Sequence, residues 1–178
     1  MTDSHRTEHV GLSPSIRIRE ATRADVAALA ALHVAAFIET HGSVGAPSLT
    51  LRDQQWRTAF ETPHDWFAFV GVDETGALVG FAKGTAHDGG VPGFVGELNK
   101  LYVLRAFQGR GLGRQLVQHT ASQFLARGVA SMLLFGDVRS AANGFYEHLH
   151  GERLFAASGE FHGAYGWRDL RALGAAAQ

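Results

Sequence analysis

The stretch that decides the fold reads Glu97-Leu98-Asn99-Lys100-Leu101-Tyr102-Val103 and, after four intervening residues, Gln108-Gly109-Arg110-Gly111-Leu112-Gly113. Phe94–Val103 has the composition of a long strand. Leu112, Leu116, Val117, Ala121, Phe124 and Leu125 then fall on one face of an amphipathic helix, and Gly128 stands where a terminating glycine would. The segment is a strand, a glycine-rich turn and a helix. Glycines in such a turn let the backbone bend sharply and approach a ligand. The first amides of the helix have no partner within it and sit at the positive end of its dipole, which suits a phosphate or pyrophosphate. An ordinary tight turn, with glycine for conformation only, is the alternative. Two other phosphate loops are excluded by the letters. G-x-G-x-x-G ends on Leu116 when counted from Gly111 and on Arg114 when counted from Gly109. The P-loop lysine and hydroxyl are replaced by Arg114 and Gln115.

Upstream of this stretch, Ile16-Arg17-Ile18-Arg19 alternates as a half-buried strand does. Thr22 with Asp25 reads as a capping box, opening a helix that carries Val26, Leu29, Ala30, His33, Val34 and Phe37. Gly42–Ser48 breaks it, and Thr50 with Asp53 starts a second helix with Leu51, Trp56 and Phe60 that stops near Pro63. Trp66–Val72 and Ala77–Lys83 flank the turn Asp73-Glu74-Thr75-Gly76 as a hairpin, and His87–Gly93 is a loop. Downstream, Val129–Phe135 reads as a strand, Ser140–Leu149 as a short helix, and Glu152–Ala157 and Gly163–Leu170 as two closing strands. The order is strand, two helices, three strands, helix, strand, helix, two strands. That is a mixed α/β (α+β) sheet and not the strict alternation of a doubly wound fold.

The 178 residues suit a single domain. Hydrophobic residues at 46% and charged residues at 19% are those of a folded globular chain. A net charge of −1 provides no basic excess for gripping nucleic acid. Cysteine is absent, which excludes thiol catalysis, zinc–thiolate sites and disulfide scaffolds. Lys83 and Lys100 are the only lysines; the other basic residues are arginine. Met1–Pro14 is polar, with His5, Arg6, Glu8 and His9, and lacks the apolar run of a signal peptide. No segment reads as ~20 apolar residues of a membrane span. The expectation is a cytoplasmic protein without membrane contact, with a tail at 1–14, one domain at 15–171 and a loose end at 172–178. Ten histidines raise the question of a metal. His148 and His150 are only two apart, His5 and His9 lie in the tail, and His33 reads as a satisfied core or pocket residue, so none is expected.

The central stretch resembles the acyl-CoA-binding motif of the GNAT N-acetyltransferase superfamily. Ile16–Thr22 resembles that family's opening strand and cap, and Phe145-Tyr146-Glu147-His148-Leu149 resembles the F-Y-E-x-L of its last helix. Tyr165-Gly166-Trp167-Arg168-Asp169-Leu170 is similar to the closing strand of a bacterial branch that includes small-amine and polyamine acetylation. The likeness spans about residues 15–171. It implies a largely antiparallel, twisted mixed sheet flanked by about four helices, and acetyl-CoA as cosubstrate.

By that resemblance, the turn amides of Gln108, Gly109, Arg110, Gly111, Leu112 and Gly113, with Arg114 close by, hold the CoA pyrophosphate. The strand end Leu101-Tyr102-Val103 meets the pantetheine arm through the backbone of Leu101 and Val103, where this strand and Val129–Phe135 splay apart. Tyr146 is the candidate acid at the thioester sulfur, since a phenol is protonated at neutral pH; a core tyrosine beside Phe145 is the alternative. Glu97 is the candidate base, on one face with Asn99; it alternatively binds a cationic acceptor or faces solvent. Family members often carry a CoA-contacting asparagine before the tyrosine. Here that place falls on Arg139 or Ser140, so Ser140, Asn143 or neither makes the contact. Arg105 and Arg110 are further candidates for CoA phosphates, and Phe37, Glu39, His41 and Trp56 lie where the family's acceptor site is overhung. The implied reaction moves an acetyl group from acetyl-CoA to a primary amine of a small molecule or peptide by direct attack on the thioester. A noncatalytic acyl-CoA-binding regulatory module is the alternative. The resemblance also leaves a homodimer open.

Overall fold

A computed structural model describes residues 15–62 and 65–174. The expected tail at 1–14, with His5 and His9, and the helix stop at Pro63 lie outside them. Seven strands form one sheet in the order β1-β2-β3-β4-β5-β7-β6: β1 Arg17–Glu20, β2 Trp66–Val72, β3 Leu78–Ala86, β4 Gly96–Val103, β5 Met132–Leu134, β6 Glu152–Phe155 and β7 Phe161–Trp167. Every neighbouring pair is antiparallel except β4–β5, which is parallel. The helices are α1 Val26–His41, α2 Leu49–Glu61, α3 Leu112–Ala126, α4 Asn143–His148 and the short α5 Arg171–Gly174.

Each sheet face carries its own core. Leu29, Ala30, Trp56, Val70 and Phe81 close one face beneath α1 and α2. Phe67, Leu98, Leu116, Val117, Phe124, Met132 and Trp167 close the other beneath α3. The 19-residue helical run Arg23–His41 holds an 18-residue window of mean hydropathy 1.2, apolar and long enough to cross a bilayer by length and composition alone. The sequence reading did not anticipate this. The run's apolar residues Val26, Leu29, Ala30, Leu32 and Ala36 are buried within the fold, which accounts for that apolarity. Its start follows the expected capping box: Thr22 donates its amide to Asp25 Oδ2 at 2.8 Å. Arg19 adds two bonds to the Asp25 carboxylate, each 2.8 Å. This guanidinium, together with the Thr22 donors, outweighs burial and holds Asp25 down at a pKa of about 2.

Several boundaries differ from the sequence reading for local reasons. β5 is three residues long because Val129 turns back to donate to the Phe124 carbonyl, and Phe135, 59% exposed, has left the sheet. α4 begins only at Asn143, since the Ser140 hydroxyl accepts the Ala142 amide and holds a turn there. β7 ends at Trp167, and Leu170 is fixed instead by its amide bond to the Ala130 carbonyl. The expected loose end contributes a buried side chain, because α5 carries Leu173 into the core under α3.

Candidate active site

β4 and β5 share only two residue pairs, Gly96↔Met132 and Glu97↔Leu133. Beyond them the strands part, and β4 runs on to Val103 with β3 as its one strand partner among the described residues. The turn that follows opens α3. Gly109 and Gly111 have φ of 72° and 82°, left-handed conformations that a side chain would strain. The Gln108 side-chain amide donates to the Val103 carbonyl at 2.9 Å and pins the turn to the strand end. That carbonyl is thus half used, which leaves its second lone pair and Leu101 for any further strand-like pairing. Among the described residues, no hydrogen bond engages the amides of Gly109 through Arg114; the first paired one is Gln115, at 3.0 Å from the Gly111 carbonyl. Unpaired amides at and just before a helix N-terminus are groups that can hold an anion, which makes this turn a candidate anion site. Gly113 has ordinary helical backbone, and a Cβ there would lie 3.4 Å from the Phe145 ring, a normal contact. The Arg114 side chain lines a separate hollow with Gln118, Trp167 and Arg168.

Tyr146 stands on α4 and packs against the core beneath α3. Its ring lies 5.5 Å from that of Tyr165 and 6.4 Å from that of Trp167. Burial first, then the neighbouring phenols of Tyr102 and Tyr165, raise its pKa to about 12. Tyr102 thus stands within electrostatic reach of Tyr146 at the open end of the splay. Glu97 sits at the closed end. Asn99 donates to its Oε1 at 2.8 Å. The two meet although β4 bulges at Asn99, where Lys83 pairs with Lys100 but Gly84 pairs with Leu98. His87 Nδ1 lies 3.6 Å from Glu97 Oε2, and the His87 side chain is 4% exposed. The Val91 amide donates to His87 Nε2 at 3.1 Å, so the neutral ring carries its proton on Nδ1, facing Glu97. Five residues of β4, ~16 Å of strand rise, separate Glu97 from Tyr102 and the Tyr146 neighbourhood.

The remaining sequence candidates are placed as follows. Asn143 donates back to the Asp137 and Val138 carbonyls and leaves its buried Oδ1 without a partner. The Ser140 hydroxyl oxygen accepts the Ala142 amide at 3.1 Å. Glu39 accepts the Arg105 amide and its carbonyl accepts the Arg105 guanidinium, both at 2.6 Å, so the two tie the end of α1 to the end of β4. Arg110 lies over the Phe107 ring. Phe37 stacks with His41, and Trp56 belongs to the α1–α2 core.

Sequence reading missed a polar cluster under α1 and α2. His33 is 3% exposed, and neither of its ring nitrogens has a partner, contrary to the expectation of a satisfied histidine. Burial, then the charges of Arg52, Lys100 and Lys83, push its pKa down to about 3. His87, Arg52, Lys83 and Lys100 were equally unforeseen here, because only the register of β3 on β4 and the packing of α2 bring them together.

The chain belongs to the acetyltransferase (GNAT) family, whose model matches residues 26–151, and it is an enzyme of the acetyltransferase class. It is similar to the uncharacterized N-acetyltransferase YuaI of Bacillus subtilis strain 168, at 28% identity over 166 residues, covering 89% of this chain and 96% of that one. Among solved structures it resembles the PaiA N-acetyltransferase of Thermoplasma acidophilum in complex with coenzyme A. That match has a TM-score of 0.61 and 14% identity, over 85% of this chain and 98% of the other. A GNAT acetyltransferase from Staphylococcus aureus Mu50 matches with a TM-score of 0.65 and 14% identity, over 88% and 99%. At these identities the structural likeness bears on the fold.

Proposed function

We propose that this chain transfers the acetyl group of acetyl-CoA to a primary amine by direct attack on the thioester. The observation that carries this reading is the row of six unpaired amides, Gly109 through Arg114, at the mouth of α3 beside the parted strands β4 and β5. The cradle fits the CoA pyrophosphate: every group in it is a donor, and Gly109 and Gly111 leave the backbone bare. Leu101 and the free lone pair of Val103 pair with the pantetheine arm, and the unpartnered Asn143 Oδ1 offers an acceptor at the rim. Acetyl-CoA supplies an acyl group activated as a thioester.

The chain's own residues then move protons. An ammonium has no lone pair, so the acceptor must lose a proton before it attacks. Glu97, held by Asn99 and faced by the His87 Nδ1–H, is the acceptor for that proton, and the span of β4 that separates it from Tyr146 calls for a water relay between them. Tyr146, protonated throughout the neutral range, donates to the departing sulfur. PaiA and YuaI, to which the chain is similar, are named N-acetyltransferases, which agrees with an amine acceptor. The test is release of free thiol from acetyl-CoA in the presence of a panel of primary amines. Amine-dependent release is expected. Tight CoA binding without release from any amine would instead identify a noncatalytic acyl-CoA-binding module.

A further inference from the structure

Among the described residues, the α1–α2 face of the sheet holds more hydrogen-bond donors than acceptors. Lys83 and Lys100 are directly paired across β3 and β4. Like charges opposed on a half-buried sheet face repel, and among the described residues neither ammonium has an ion-pair partner. Lys83 lies 5.6 Å from the Trp56 ring centroid and 5.2 Å from that of Trp66. Lys100 donates only to the adjacent Asn99 carbonyl at 3.2 Å. Arg52, on α2, spends one terminal nitrogen on Gln55, and its Nε is buried without a partner. Trp56 Nε1 and both nitrogens of His33 are buried and unpartnered as well, in side chains 4% and 3% exposed. His33 is the hub, its ring 5.2 Å from Tyr102 and 6.2 Å from Trp56. The charges of all three cations reach it.

Resting on the transferase reading above, we infer that this cluster binds an anionic group, a carboxylate or a phosphorus oxyanion, carried by the acceptor amine. An oxyanion presents only acceptors, which is what Arg52 Nε, Trp56 Nε1 and the two ammonium groups lack. It would also relieve the opposition of Lys83 and Lys100. The site is distinct from the pyrophosphate cradle. Leu101 and Val103 pack toward α3, whereas Tyr102 packs toward α1 and α2. Tyr102 connects the cluster to the chemistry, since it touches His33 on one side and is felt by Tyr146 on the other. The carboxylates nearby do not neutralise the cluster. Glu97 acts on Lys100 but is held by Asn99 and His87. Asp65 and Asp88 border Lys83 at the outer mouth, and both are exposed. A polyamine would set further ammonium groups against three cations.

The test compares acceptors of matched length: ω-amino carboxylates of two to six carbons, the corresponding alkylamines and diamines, and aminoalkylphosphonates. At least one carboxylate or phosphonate is expected to exceed its alkylamine by tenfold or more in kcat/KM, and the diamine by more; which anion leads tells the two chemistries apart. In Arg52→Gln and Lys100→Gln, KM for that acceptor should rise tenfold or more while CoA affinity by calorimetry stays within twofold. Arg52 sits on the outer helix α2, so its variant keeps the test readable should Lys100→Gln fail to fold. Equal or better transfer to every alkylamine or diamine would overturn the inference. If no amine is acetylated, the transferase reading falls by itself. The anion site is then read by calorimetry with N-acetyl-γ-aminobutyrate and CoA-loaded protein. Binding that weakens tenfold in Arg52→Gln supports it, and no binding overturns it.

Discussion

Tyr146 keeps its proton because its ring is enclosed by Phe145, Tyr165 and Trp167, where a phenolate would be poorly solvated. A pKa of about 12 means that the donor is present at every pH where the protein is assayed. Tyr146→Phe is therefore expected to lower kcat by roughly 10²- to 10⁴-fold, the usual worth of a general acid, with CoA affinity retained. The wild-type rate should show no falling limb from this group below about pH 10; a rate that survives the substitution would remove Tyr146 from the chemistry. His33 makes the opposite statement about charge. Its folded pKa is about 3 against ~6.5 in the unfolded chain. As pH falls below ~6.5 the unfolded state takes up the proton first, so stability declines between ~6.5 and 3, and above ~6.5 the effect is absent. Denaturant unfolding at pH 7 and pH 5 should show wild type losing ~2 kcal/mol relative to His33→Phe, and an unchanged difference would refute the buried neutral ring. Tyr146 and Glu97 could be named as candidates because their residue types stand inside recognisable motifs. His87, Arg52, Lys83 and Lys100 were not, because their meaning lies in neighbours distant along the chain.

At the scale of the element, the glycine-rich strand–turn–helix was the most legible part of the molecule. Its glycines, its helix periodicity and the absence of competing loop motifs all lie in consecutive letters. What the letters could not separate is which glycine serves the backbone and which leaves room. Gly111 needs its conformation, so a side chain there would add ~1–2 kcal/mol of left-handed strain and confuse binding with folding. Gly113 is helical and has space for a Cβ. Gly113→Asp adds a carboxylate to the first turn of α3, where the dipole favours it by ~0.3–1 kcal/mol, among the amides that the proposed function gives to the pyrophosphate. Calorimetry should find CoA affinity lowered tenfold or more with thermal stability unchanged or slightly raised; equal affinity would show that the free amides of α3 do not meet the anion. The short elements β5 and α4 were overcalled for a related reason. Both are cut short by specific local bonds, Val129 to Phe124 and Ala142 to Ser140, which hydrophobic periodicity does not report.

The whole molecule is two antiparallel halves, β1–β4 and β5–β7, joined through a single parallel contact of two residue pairs. The element order, and with it the mixed sheet, could be read from alternating periods of two and 3.6; the narrowness of the joint could not, since it depends on where two strands stop pairing. Gly96 lies at that joint. It pairs with Met132, its amide donates to the Ser131 carbonyl at 3.0 Å, and a Cβ on it would come within 2.8 Å of the Phe124 ring. Gly84 is its counterpart inside the β1–β4 half, where a Cβ would meet the Phe67 ring at 2.5 Å. Alanine at either place overpacks the α3 face and should cost roughly 1–3 kcal/mol of stability. Only Gly96→Ala pushes on the joint from which β4 and β5 diverge, so only it should also weaken CoA binding. Thermal unfolding and calorimetry on the two variants separate these effects. Matched losses of stability with a selective loss of CoA affinity in Gly96→Ala are the expected result. Equal CoA affinities in the two variants would mean that the width of the splay is set elsewhere in the sheet.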